Sequence, residues 1–299
     1  MRTGYFIGLT ILFVLLAFIL GYWLGRTQTP VQPASSPATS GLPETVITHW
    51  PALEIHSKHF IYGMPVGTPL SNDLIIRDIY ALSSNDSTKF ADWVAYRLDR
   101  ETVEGEGRQV RRWQPDPWLD PEETLEPEDY RRANQMLQVD RGHQAPLASF
   151  KGTSEWQATN YLSNITPQRA ALNQGPWREL EDRVRRLVQR VEPVYVITGP
   201  LYEREMPTLP SADEPHRIPS GYWKVIVIPQ QPLPDSLKVI AFILDQEVPR
   251  RASLKDFVVS VNEVEARTGL DLLHELPDTI EERIESTIDT SLINRFFVN

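Results

Sequence analysis

Residues 5–24 read YFIGLTILFVLLAFILGYWL, twenty positions without a charge. No surface of a water-soluble domain accommodates such a run, so it divides the chain before anything else is considered. As a helix rising 1.5 Å per residue it spans about 30 Å, the thickness of a bilayer's hydrocarbon core. Tyr5, Tyr22 and Trp23 stand at its ends, where amphipathic rings favour the membrane interface. The sequence that follows, GYWLGRTQT, makes a poor cleavage site, so the run reads as an uncleaved anchor, with a cleaved signal peptide as the alternative. Arg2 and Arg26 flank it on opposite sides and give a weak preference for a cytoplasmic amino terminus, which places the rest outside the cytoplasm. Residues 27–45 are rich in Pro, Ser and Thr and read as a tether that buries no core. The expected organisation is an anchor over 1–26, a linker over 27–45 and one soluble domain over 46–299.

The whole chain of 299 residues is 41% apolar, enough for a sizeable core in that domain. A net charge of −10 excludes a generally basic coat for nucleic acid, though not a local basic groove. Cysteine is absent, which excludes disulfides, thiolate catalysis and cysteine–zinc sites. Strands are expected at 74–80, 90–98, 194–198, 222–228 and 238–244, the last two joined by the connection PQQPLPDS. EPEDYRRANQML predicts a short helix with Pro127 in its first turn, and SVNEVEARTGLDL a helix stopped by Gly269. GEGRQVRRW has no clear period and reads as a loop or an edge strand. Strands and helices mix without βαβ alternation, so the fold class is α+β.

One helix carries more information. In LNQGPWRELEDRVRRLVQRVEP, Trp177, Leu180, Val184, Leu187, Val188 and Val191 form one apolar stripe. Glu181 and Arg185, four residues apart, are neighbours at the edge of that stripe. Asn173 precedes the helix, Pro176 lies near its start, and a hydrated cation could be reached by both Asn173 and Glu181. Upstream, an apolar run ends in Asp140-Arg141-Gly142-His143, an acid, a base, a glycine and an imidazole in succession.

Four segments occur in one order and spacing: DRGHQAPLAS (Asp140–Ser149), NYLSNITPQ (Asn160–Gln168), LNQGPWRELE (Leu172–Glu181) and VITGPLYE (Val196–Glu203). In these the chain resembles the DNA/RNA non-specific endonucleases of the ββα-metal (His-Me finger) class, closer to the secreted bacterial nucleases than to endonuclease G. The resemblance covers most of residues 70–275. It implies a central, mostly antiparallel sheet flanked by helices. It implies His143 as general base, Asn173 as direct Mg²⁺ ligand, with Mn²⁺ as a substitute, and Glu181 as holder of metal-bound water. It implies Arg141 and Arg185 as phosphate contacts, Asn164 beside the site, and a further arginine, Arg111 in VRRW, with Arg112 an adjacent competitor. The partners implied are DNA and RNA, single- and double-stranded; the apolar run adds a membrane, and a homodimer is left open. The anchor and the lack of disulfides depart from the secreted members without touching these residues.

The chemistry is coherent on its own terms. A neutral imidazole can accept a proton from water near neutral pH. A neutral amide ligand leaves Mg²⁺ almost its full charge to stabilise a phosphoryl group and leaving oxygen. Arginines match phosphate oxygens but carry no base information, so little sequence specificity is expected. Each residue also has a plainer reading: His143 a loop or core histidine, Asn173 a helix cap, Glu181 and Arg185 an ordinary ion pair. Asp140 is expected to support the site rather than ligate. His56 and His59 are expected at the surface, Arg178 and Arg190 on a solvated helix face, and Trp223 in the core. The leading expectation is a membrane-anchored, Mg²⁺-dependent endonuclease leaving 5′-phosphate ends. The alternatives are a non-catalytic, membrane-tethered nucleic-acid-binding protein and an anchored structural protein.

Overall fold

A computed structural model describes residues 57–105 and 110–297. The expected anchor, the linker and His56 lie outside the described residues. Among the described residues no helix is long and apolar enough to cross a membrane.

Among the described residues nine strands form: β1 Asp73–Ile76, β2 Ala81–Asn85, β3 Phe90–Leu98, β4 Val139–His143, β5 Ile165–Arg169, β6 Val194–Leu201, β7 Gly221–Ile228, β8 Lys238–Asp245 and β9 Val258–Val259. Seven of them make one antiparallel sheet in the order β1-β2-β3-β6-β7-β8-β9, and β4 pairs with β5 separately. The central strands β6, β7 and β8 match the sequence expectation to within three residues. The strand expected over 74–80 is β1 as far as Ile76, and beyond it the chain turns the corner of a hairpin. Arg77 N–H donates to Tyr80 O at 2.8 Å, and the Arg77 side chain turns aside to pair with buried Asp116.

The pleat sorts the core. Val94, Tyr96, Val196, Tyr222, Ile226 and Phe242 point to one face, where α2 (Arg178–Val188) packs through Leu180, Val184, Leu187 and Val188. Trp93, Ile197, Trp223, Val225 and Ile243 point to the other face, covered by α3 (Val261–Thr268) and α4 (Asp278–Glu285). Trp223 is core, as expected. All eight residues of β7 are buried, and Lys224 is among them.

Two helices show how local signals fared. α3 starts at Ser260, whose hydroxyl accepts Glu263 N–H, and ends at Gly269 with φ +74°. A side chain there would meet nothing, so the glycine serves backbone conformation alone. The helix expected over 126–137 shrinks to α1, Ala133–Leu137. Asp129 captures Glu126 N–H at 2.6 Å in a turn, and Arg132 at φ +62° separates that turn from the helix. α5, Thr290–Phe296, lies beyond the reach of the four motifs.

Candidate active site

The DRGH segment is not a loop after a strand; it is strand β4 itself, with Arg141 opposite Pro167 and His143 opposite Ile165 on β5. Gly142 permits that pairing. A Cβ there would lie 2.7 Å from Gln168 Oε1 and 2.8 Å from Gln168 Cβ. After β5 come one helical turn, Ala170–Leu172, a wide π-type turn, Asn173–Trp177, and then α2. Asn173 therefore sits inside a kink with helical structure on both sides, not ahead of a helix as expected. The kink centres on Gly175, whose backbone is non-helical and so close to the loop after β8 that a Cβ would lie 2.5 Å from Arg250 O. Pro176 suits the kink, since it has no N–H to offer a helical bond. The same loop holds β5. Gln246 accepts Arg169 N–H at 2.7 Å and donates to Pro167 O at 2.8 Å, while Glu247 pairs with Arg169 at 3.0 Å.

These elements enclose a cleft of about 520 Å³. Arg111, Asp140, Arg141, His143, Asn173 and Glu181 all line it. Arg111 rather than Arg112 is the cleft arginine. Arg178, expected on a solvated face, is exposed but also lines the cleft. Three arginines thus concentrate positive charge in one place on an acidic protein, the local groove that net charge left open.

His143 is half-buried, its ring 5.3 Å from that of Trp113. Its Nε2 lies 3.4 Å from Asn160 Oδ1, and Asn160 Nδ2 donates to Gln157 O at 3.3 Å. The second bond fixes the amide orientation, so Nε2 carries the proton and Nδ1 keeps the lone pair. Burial, helped by the Arg111 charge, lowers the imidazole from 6.5 to about 4. It is therefore neutral through the physiological range. Asn160 lay within a quoted motif, yet nothing in the sequence marked it as the histidine's partner.

Asp140 accepts three amide donors: Asn134 at 2.9 Å, Asn173 at 3.0 Å and Gln174 at 2.8 Å. Asn173 Nδ2 is thereby occupied, and among the described residues nothing engages its Oδ1. That leaves an amide oxygen and the Glu181 carboxylate as hard oxygen donors on one cleft, a set that suits a divalent cation retaining several waters. The carboxylate clusters Asp73–Asp86–Glu123 and Asp129–Asp213–Glu214 do not line it. Arg141 lies over Tyr130 at 4.9 Å and Trp113 at 5.5 Å and donates to Pro127 O at 2.7 Å. Its Nε is buried without a partner.

Three expectations need correction. Asn164 is fully buried and does not reach the cleft. It accepts Ala145 N–H at 2.8 Å and donates to Ala145 O and Thr159 O, tying the end of β4 to the segment carrying Asn160. Arg185 pairs with Asp182 rather than Glu181 and donates to Ser149 Oγ at 3.3 Å, lining an adjoining hollow with Lys151 and Glu104. His59 is buried, not at the surface; its Nε2 lies 2.8 Å from Arg77 O, and burial lowers it to about 4. Arg190 is exposed beside Phe296, as its helix-face reading requires.

Glu181 has an unexpected neighbour. Burial pushes its carboxyl up, and the strongest opposing influence is the Lys224 ammonium, followed by Arg185. Burial in turn pulls Lys224 down, against the attraction of Glu181. A lysine at an inward position of an apolar strand was the available signal.

Comparison with known proteins places the chain in a family. Residues 56–279 match the DNA/RNA non-specific endonuclease family. The nuclease of Serratia marcescens is 49% identical over 226 residues, covering 75% of this chain and 83% of that protein. A Nostoc nuclease is 30% identical, covering 78% and 86%. The human mitochondrial nuclease EXOG is 29% identical, covering 71% and 60%. Among solved structures, EndoG in complex with EndoGI aligns with a TM-score of 0.63 at 25% identity, covering 73% of this chain and 90% of that one.

Proposed function

This chain belongs to the DNA/RNA non-specific endonuclease family and is a nuclease, and we propose that it hydrolyses DNA and RNA through the cleft around His143 with the help of Mg²⁺. The observation that carries the reading is the convergence on one cleft of a neutral imidazole, an amide oxygen that nothing among the described residues engages, a carboxylate and three arginines. Asn173 Oδ1 would hold the metal directly, and Glu181 would hold its water. When bound, the metal supplies positive charge at the scissile phosphate and the leaving oxygen.

The chain's own residues do the rest. His143 Nδ1 takes a proton from the attacking water as its oxygen bonds to phosphorus. The bond from phosphorus to the 3′-oxygen breaks, solvent protonates that oxygen, and the phosphate stays on the 5′ side. Asn160 holds the imidazole in the tautomer that accepts at Nδ1. Arg111, Arg141 and Arg178 neutralise the backbone that enters the cleft; they contact phosphates rather than base edges, which gives low sequence specificity. Asn164 acts by positioning, and Arg185 serves the adjoining phosphate path. The test is incubation of the purified chain with plasmid and with RNA, in Mg²⁺ and in chelator. Cleavage of both in Mg²⁺ alone, with 5′-phosphorylated ends, is expected; intact substrates in Mg²⁺ refute the reading.

The apolar run at 5–24 and the Pro/Ser/Thr-rich stretch at 27–45 support a tethered enzyme whose domain from residue 46 faces outside the cytoplasm. Protease added to spheroplasts should remove the nuclease while the membrane stays intact. A domain protected until lysis would overturn that orientation.

A further inference from the structure

Strand β7 carries a charge where the pleat calls for an apolar side chain. Tyr222, Ile226 and Ile228 point into the core beneath α2, and Lys224, between them, is 0% exposed. Taking an ammonium out of water is costly, and a methionine of similar length would fill the space without that cost. The surroundings give it little direct compensation. Nζ is 3.4 Å from the Tyr96 hydroxyl and 4.6 Å from the centre of the Trp177 ring. Tyr96 is itself fully buried and neutral, its phenol pushed up by burial. Among the described residues no carboxylate lies within ion-pair distance of Nζ. Glu181 stands one turn beyond Trp177 on α2, and its charge favours the ammonium, while that of Arg185 a further turn along opposes it.

We propose that Lys224 is a positioning residue for the cleft, supplying the counter-charge for Glu181 from beneath without itself taking a carboxylate oxygen. This rests on the reading of Glu181 as holder of metal-bound water. The separation is the point of the arrangement. A lysine in direct contact would occupy an oxygen of Glu181 and compete with the cleft cation. A lysine set back against the Trp177 ring stabilises the carboxylate's charge through a low-dielectric medium without itself taking an oxygen. It is Glu181, not Lys224, that lines the cleft.

The experiment uses the full chain in mild detergent, with Mn²⁺ as probe. Binding is followed by the EPR signal of the free ion in a His143→Ala background, so that turnover plays no part. Lys224→Met should weaken Mn²⁺ binding about 10- to 100-fold, the range for groups that support a metal ligand from behind. Lys224→Arg should restore most of it. With His143 intact, Lys224→Met should shift cleavage to higher metal concentration. Adding Lys224→Met to Glu181→Gln should weaken binding no further. Unchanged Mn²⁺ affinity in Lys224→Met, or a loss that adds in full to that of Glu181→Gln, overturns the proposal. If Glu181→Gln alone leaves Mn²⁺ affinity unchanged, the reading of Glu181 fails instead. Should Lys224→Met not fold, the double variant decides: recovery of the fold once the carboxylate is gone supports the pairing, and equal misfolding overturns it.

Discussion

The two faces of the seven-stranded sheet each carry a glutamate whose carboxyl is pushed up, in opposite company. On α2, the charges of Lys224 and Arg185 oppose the upward push of burial on Glu181. Across the sheet, Glu285 at the end of α4 is 6% exposed, and its Oε1 has no partner. The charges around it are Glu265, Glu281, Asp271 and Glu282, all of its own sign. Burial and these neighbours push Glu285 up to about 8, and burial pushes Glu265 up to about 7. On one face cations oppose the rise that burial imposes on the carboxyl; on the other, neighbouring acids add to it. A perturbed carboxyl is therefore not by itself the mark of a site. What distinguishes Glu181 is an open cleft and other reactive groups around it.

The largest break in this comparison should come on the cleft face. His143→Ala should lower cleavage by about 10²–10⁴-fold, the usual worth of a general base, with the thermal midpoint nearly unchanged. In the unmodified protein, the acid limb of kcat/KM should lie nearer pH 4–5 than 6.5, since burial and Arg111 hold the imidazole down. An acid limb at 6.5 would show that His143 is solvated in the working enzyme.

The back face should respond in stability alone. A carboxyl raised in the folded state contributes fully below its unfolded value near 4.5, and that contribution is lost as pH rises toward 8. Glu285→Gln should remove that loss. Denaturant titrations should find it more stable than the parent by about 1–3 kcal/mol at pH 8.5 and nearly equal at pH 4.5, with cleavage unaltered. A parallel pH profile in both proteins would mean that Glu285 is not protonated in the fold. The smallest effect is expected at the end of α3, the helix that carries Glu265. Gly269→Ala should cost about 1 kcal/mol, because alanine resists φ +74° while no neighbour obstructs it. A loss several times larger would reveal a packing role.

Much of the cleft was legible because its residues lie in contiguous motifs. Asp140 to His143 is one strand, and Asn173 and Glu181 belong to one kinked helical segment, so spacing alone carried them together. The central strands were legible for a similar reason, as long apolar runs bounded by prolines and turn residues. What escaped depends on contacts between distant segments. Lys224 looked like one charge in an apolar strand until α2 was laid over it. His59 sits in a polar stretch, and only the Arg77 corner shows that it is enclosed. Asn164 was carried by its motif into the site, whereas its three backbone bonds assign it to the scaffold behind. Arg178 is exposed on its helix, and only the position of β4 makes its exposed side the wall of a cleft.

The contact between Gly175 and Arg250 has a consequence for how such a protein can be altered. The loop after β8 touches the kink that presents Asn173 and also grips β5 through Gln246 and Glu247. A residue inserted into that loop would be felt at both ends of the cleft floor, far from it in sequence. The connection between β7 and β8 offers a freer place for a tag or a graft, since it leads away from both. Loop length at one end of the sheet is thus a hidden setting of the chemistry at its centre.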